Sequence, residues 1–121
     1  MTAQEIAKKY VALCKEGQRE EVLALFSKDA VSVEAAAPPG GERVVNGLDG
    51  IRAKSKWWVE NNEVHKAELT GPYPHDDRFA VHFTYDVTNK PSGQRRTMDE
   101  IGLFTVVDGK ITREEFFYPT G

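Results

Sequence analysis

At 121 residues the chain has the length of one domain, residues 1–121, large enough for a real core and too small for two. Its 16 basic residues against 19 acidic ones leave a net charge of −3, and the one tight basic pair, Arg95-Arg96, is too little for a phosphate backbone, so no nucleic-acid partner is expected. A single cysteine, Cys14, excludes an intrachain disulfide. No apolar run approaches the ~20 residues of a membrane span, and no basic-then-apolar leader opens the chain, so a cytoplasmic protein with no membrane partner is expected.

In chain order, Thr2 and Glu5 of "TAQE" form a capping-box signature, and Ile6, Tyr10, Leu13 and Cys14 follow at helical spacing until Gly17. "QREEVLALF" predicts a second, shorter helix with Val22, Leu25 and Phe26 inward. A short strand, "AVSVE", is predicted over 30–34, and the Pro- and Gly-rich "AAAPPGGERVVNG" reads as a loop and a candidate pocket rim. A third helix over about 48–61 carries Ile51, Ser55, Trp58 and Val59 on one face. Trp57 and Trp58 point about 100° apart, so Trp58 is expected to cap the core or a cavity and Trp57 to lie at its rim. The period then changes to two, predicting strands near 63–70, 78–88, 96–107 and 110–118. This order predicts an α+β domain: three N-terminal helices packed against one strongly curved antiparallel sheet.

The last hairpins can be registered by counting. Asp108-Gly109 suits a two-residue turn in which both residues have positive φ, and this pairs Val107 with Lys110. Regular pairing then sets Leu103 against Glu114, Ile101 against Phe116 and Asp99 against Tyr118, all on one face. Pairing Phe83 with Ile101 adds Phe79, Val81, Phe83, Tyr85 and Val87 to that face. Asp99 is thereby expected between Tyr85 and Tyr118 on an apolar pocket wall, where burial would raise its pKa. A slip of one residue would turn it to the other side. Glu114 is inward by the same count, as a further pocket acid or a residue of the sheet margin. The opposite face receives Met98, Phe104, Val106, Ile111 and Phe117 among His82, Thr84, Glu100 and Glu115. The helices can cover one face only, so a twofold homodimer through the outer face is expected.

The stretches "KKYVALCKEGQREEVLALFSKDAVSV", "GIRAK" and "DEIGLFTVVDGKITREEFF", in that order, resemble the nuclear-transport-factor-2-like superfamily, and within it the SnoaL-like relatives of polyketide cyclases and ketosteroid isomerases. The resemblance covers nearly the whole chain and implies a cone-shaped sheet wrapped around the helices, a cystatin-like α+β roll. Carried over by position, it implies Tyr10 as a hydrogen-bond donor to a developing enolate oxygen, Glu34 as the base and Asp99 as the second acid. The sequence departs from the isomerase pattern in having Glu rather than Asp at 34, "AAAPPGG" after it, and a last turn shifted by two residues. Tyr10 at its spacing also suits a plain core aromatic, and Glu34 a solvated strand end.

No Gly-rich phosphate loop occurs, and His65, His75 and His82 have no ligand spacing, so neither cofactor nor metal is expected. Two functions remain open. One is a cofactor-independent acid/base enzyme of isomerase, cyclase or dehydratase type, acting on a small apolar carbonyl compound. Its pocket would be made by Trp58, Phe83, Tyr85, Ile101, Leu103, Glu114, Phe116 and Tyr118. The other is a non-catalytic ligand-binding or scaffold dimer of the same fold.

Overall fold

The computed structural model describes residues 1–120. Three helices, α1 (Ala3–Lys15), α2 (Arg19–Leu23) and α3 (Leu48–Asn61), lie against a curved, unclosed sheet. Its six strands are β1 (Phe26–Val33), β2 (Val44–Asn46), β3 (Asn62–His75), β4 (Arg78–Asn89), β5 (Arg95–Val107) and β6 (Lys110–Phe117), in the spatial order β2-β1-β6-β5-β4-β3. This is the expected α+β cone. The sheet is mixed, however, because β1 runs parallel to β6 while every other pair is antiparallel.

Local chemistry accounts for the helices. Thr2 Oγ1 accepts from the Glu5 amide at 3.1 Å, and the Thr2 amide donates to Glu5 Oε1 at 2.9 Å, which closes the capping box. Ile6, Ala7, Tyr10 and Val11 form the buried stripe of α1. α3 ends where Asn61 and Asn62 turn their side-chain amides back onto the carbonyls of Trp57 and Trp58, at 2.8 and 2.9 Å. That occupies last-turn acceptors the helix cannot satisfy itself. Ile51 is the buried residue of α3, and Val59, expected inward, is exposed. β1 begins four residues before the predicted strand, and β2 lies inside the segment read as loop.

The decisive difference is in β5. The Asp108-Gly109 turn forms as expected, with φ of 50° and 74° and Val107 opposite Lys110. One step further the ladder slips. Val106 pairs with Ile111, but Thr105 pairs with Arg113, so β6 holds one extra residue in a bulge. Beyond it Phe104 faces Glu114, Gly102 faces Phe116 and Ile101 faces Phe117. In the other hairpin Phe83 is opposite Glu100, one residue from the expected pairing with Ile101. β4 keeps its expected face, and so does β6 from Glu114 onward, while β5 and Ile111, on the turn side of the bulge, are turned over.

Each face of β5 carries one acid, so charge does not decide which turns inward. Phe104 does. Its ring is fully buried, stacked on Phe79 at 4.8 Å between centroids and against Tyr10 at 4.5 Å. Such aromatic pairs outweigh what the exposed Ile101 and half-buried Leu103 could contribute in exchange. Gly102 makes the arrangement possible: a Cβ there would stand 2.8 Å from the Phe104 ring and 3.0 Å from that of Phe83.

The inversion also corrects the expected outer face. Met98 and Glu100 line the interior cavity, while Phe104, Val106 and Ile111 are buried in the core. Phe117 stays outside with 46% exposure, and it lies beside Ile101.

Candidate functional site

A cavity of about 850 Å³ opens between α3, the inner face of the sheet and the loops at 34–41 and 89–94. Its middle is aromatic. Trp58 lies against Tyr85 with centroids 5.4 Å apart, Tyr85 stacks on Phe83 at 6.0 Å, and Phe83 meets Phe116 edge-on at 6.4 Å. Trp57 stands at the rim, 43% exposed.

One end of this apolar space holds four charged side chains. Glu114 projects inward from β6, directly opposite Ser32 of β1 in the parallel pair. Ser32 Oγ donates to Glu114 Oε2 at 2.6 Å and accepts a hydrogen bond from Lys54 Nζ. Lys54 comes from the inward face of α3, one turn from Ile51 and from Trp58, and its ammonium lies 5.3 Å above the Phe116 ring. Its Nζ is also 3.7 Å from Glu34 Oε2, an ion pair too long for a hydrogen bond. That oxygen is buried and has no hydrogen-bond partner. Glu100 reaches the same space from β5, opposite Phe83.

Burial dominates the titration of this cluster. It pushes the Glu100 carboxyl up to about 7, with the Glu34 charge adding to the rise, Lys54 opposing it and Glu114 reinforcing it. Glu34 is raised by burial and held back by Lys54. Glu114 is raised by burial too, against the Ser32 hydrogen bond and Lys54. Three carboxyls beside one ammonium in an apolar setting cannot all ionise cheaply. Glu100, raised to about 7, exchanges its proton around neutral pH.

Of the residues expected at the site, Tyr10, Glu34, Trp58, Phe83, Tyr85, Glu114, Phe116 and Tyr118 line this cavity. Tyr10 is deep in the core among Phe79 and Phe104, and burial holds its hydroxyl well above the ordinary tyrosine range. Tyr118 accepts at its hydroxyl from the Ala36 amide at 3.4 Å. Asp99, Ile101 and Leu103 are not on the cavity wall. Asp99 lies on the outer face, its side chain 63% exposed, where it accepts from Thr84 Oγ1 at 2.8 Å and sits 3.0 Å from His82 Nε2. Those hydrogen bonds lower its pKa, the reverse of the expected shift.

Lys54, Ser32 and Glu100 were missed. A cue for Lys54 was present, a cation at helical spacing between Ile51 and Trp58 on the inward side of α3. Ser32 carried no such signal, because only the parallel β1–β6 pairing brings it to Glu114. Among the described residues no group of three or more His, Cys, Asp or Glu is placed to hold a metal ion. Among the described residues no helix is long and apolar enough to cross a membrane.

A helix-covered cone enclosing a charged apolar pocket defines a class of small α+β pocket proteins. The chain belongs to the SnoaL-like domain family, whose model matches residues 1–118. A Mesorhizobium loti protein of known structure, provisionally named a SnoaL-like polyketide cyclase and also a carbohydrate phosphatase, is similar at 45% identity. The two superpose with a TM-score of 0.91 over 98% of this chain and 100% of that one. More distant neighbours share the fold. A Burkholderia thailandensis NTF2-like protein has 18% identity and a TM-score of 0.85 over 98% and 92% of the two chains. A provisionally named Bacillus subtilis isomerase has 21% identity and a TM-score of 0.75 over 98% and 90%. No curated protein matches the chain.

Proposed function

We propose that the chain is a cofactor-independent acid/base enzyme of isomerase, cyclase or dehydratase type that acts on a small apolar carbonyl compound, with Glu100 as the group that moves the proton. The observation that carries this reading is a carboxyl with a pKa of about 7 inside an aromatic cavity. Proton transfer is most efficient when the catalytic pKa lies near the working pH. Ionised Glu100 takes a proton from the carbon beside the carbonyl; the C–H electron pair becomes the C=C bond of an enolate as the carbonyl π pair moves onto oxygen. Return of the proton to another carbon completes an isomerisation; attack of the enolate carbon on a second carbonyl, with the proton passed from Glu100 to the alkoxide so formed, completes a cyclisation. Lys54 is the cation within the cluster, fixed by Ser32 and Glu34, and it draws the developing oxyanion toward itself. Of the two activities in the name of the Mesorhizobium loti relative, polyketide cyclase agrees with this chemistry and carbohydrate phosphatase does not.

The test begins with a thermal-shift screen against steroids, phenols and polyketide-like ketones. Each ketone that binds is then incubated in D₂O and followed by NMR for deuterium uptake beside the carbonyl. Uptake that disappears in Glu100→Gln supports the reading. Binding without exchange favours a ligand-binding protein. Assembly as a twofold dimer through the outer sheet face belongs to the same proposal; the adjacent exposed Ile101 and Phe117 support it, and light scattering reads it directly.

A further inference from the structure

We infer that the substrate carries a carboxylate at its outer end and that Arg96 selects it; this rests on the reading of Glu100 as the proton-moving group. Arg96, Met98 and Glu100 alternate along the inner face of β5, opposite Val87, Tyr85 and Phe83. All three line the cavity. Four residues along a strand separate Arg96 from Glu100 by ~13 Å. Met98, Tyr85 and Trp58 lie between the two ends, so an apolar body fits the interval.

The neighbouring arginines differ in what they hold. Arg95, on the outer face, grips Asp86 through two hydrogen bonds of 3.0 and 2.8 Å. Arg96 makes no ion pair with any described residue, and it is an exposed residue of the cavity lining, at the strand end away from the buried carboxyls. A guanidinium in that position is suited to fork a carboxylate.

Charge along the cavity then fixes the orientation. The inner end has three carboxyl groups and one ammonium, so an anionic group placed there is repelled whenever more than one carboxyl is ionised. The other end has an unpaired cation. A molecule with a carboxylate at one end and a carbonyl at the other enters carbonyl first, which delivers the reacting carbon to Glu100. Arg19, another cation on the cavity wall, sits with Val22 at the α2 side and serves as the control.

The test uses the full chain and two matched probes, biphenyl-4-acetate and biphenyl-4-acetamide, titrated by quenching of tryptophan fluorescence. The acetate is expected to bind about fivefold more tightly or better, with the preference shrinking as salt is added. The preference should vanish in Arg96→Gln and persist in Arg19→Gln and in Glu100→Gln. With a turned-over acid substrate, Arg96→Gln should raise KM and leave kcat nearly unchanged, whereas Glu100→Gln should lower kcat. Equal affinity for the two probes, no saturable binding of either, or a preference lost in Arg19→Gln but kept in Arg96→Gln would each overturn the inference. Deuterium exchange judges the role of Glu100 separately, so the two ideas fail on different measurements.

Discussion

Asp99 and Glu100 are adjacent acids on one strand, and their surroundings could hardly differ more. Asp99 lies in water on the outer face, accepting from Thr84 and paired with His82, and its pKa is lowered. Glu100 points into an aromatic cavity beside two other carboxyls, and burial raises its pKa to about 7. A strand alternates its side chains, so one residue of register decides which acid acquires chemistry. Chemical identity contributes little to the contrast, since free Asp and Glu differ by only ~0.4 pKa units. Desolvation and neighbouring charge create it.

The largest expected consequence is in activity and its pH dependence. Once a substrate is found, Glu100→Gln should reduce turnover by about 10²–10⁴-fold, the usual contribution of a positioned acid or base. Stability should respond as well. The unfolded chain ionises this group near its ordinary value of 4.5, while the folded chain keeps the proton to about 7. Between those values the unfolded state has bound fewer protons, so stability falls as pH rises through the window and levels off above it. The loss is on the order of 3 kcal/mol for a shift of this size. Urea unfolding at intervals from pH 4 to 8 should show a shallower decline in Glu100→Gln. A residual slope of the same sign should remain, because Glu34 and Glu114 are also raised. Identical slopes in the two proteins would remove Glu100 from the inner face.

Ser32→Ala probes how the inner cluster is held. It takes the hydrogen bond from buried Glu114 and the acceptor from Lys54. An unsatisfied buried partner costs about 1–3 kcal/mol, and the Glu114 pKa should climb further. The urea midpoint at pH 7 measures the first and a carboxyl NMR titration the second. Gly102→Ala tests the turned-over strand itself, since its new methyl would meet the rings of Phe104 and Phe83. Overpacking of this kind costs about 1–3 kcal/mol. A midpoint unchanged from that of the parent would place Gly102 outside the core face.

The elements were legible where each could be judged within itself. Helix α3 appears over the predicted residues because Ile51, Trp58 and the Asn61-Asn62 end all act locally. The Asp-Gly turn, the inward face of β4 and the inward Glu114 and Phe116 of β6 also follow from short-range rules. The face of β5 depends instead on two non-local events, the extra residue in β6 and the length of the loop at 89–94. Regular counting cannot register a bulge. Gly102 was the available clue, a glycine in a strand between large apolar residues, since it marks a close approach of neighbouring rings. With β5 inverted, Asp99 took the place that belongs to Glu100, while Glu34, Glu114 and the aromatic wall remained on the cavity.

Asp99→Asn should have the smallest effect, and its sign sharpens the contrast. The folded pKa of Asp99 is lowered, chiefly by the hydrogen bond from Thr84 and then by His82. Its contribution is therefore present above the unfolded value near ~3.9 and is lost as pH falls through the folded one. That is the reverse of Glu100, whose contribution is present in acid and lost toward neutrality. The Asp99 group is solvated, and exposed pairs are heavily screened. Asparagine should leave the urea midpoint at pH 7 within experimental scatter, remove a shallow acid-side loss below pH 4, and change neither probe binding nor turnover. A deep loss of activity in Asp99→Asn with Glu100→Gln unaffected would mean that β5 presents its other face to the cavity in solution. The roles of the two neighbours would then exchange, and with them the residues assigned to the pocket.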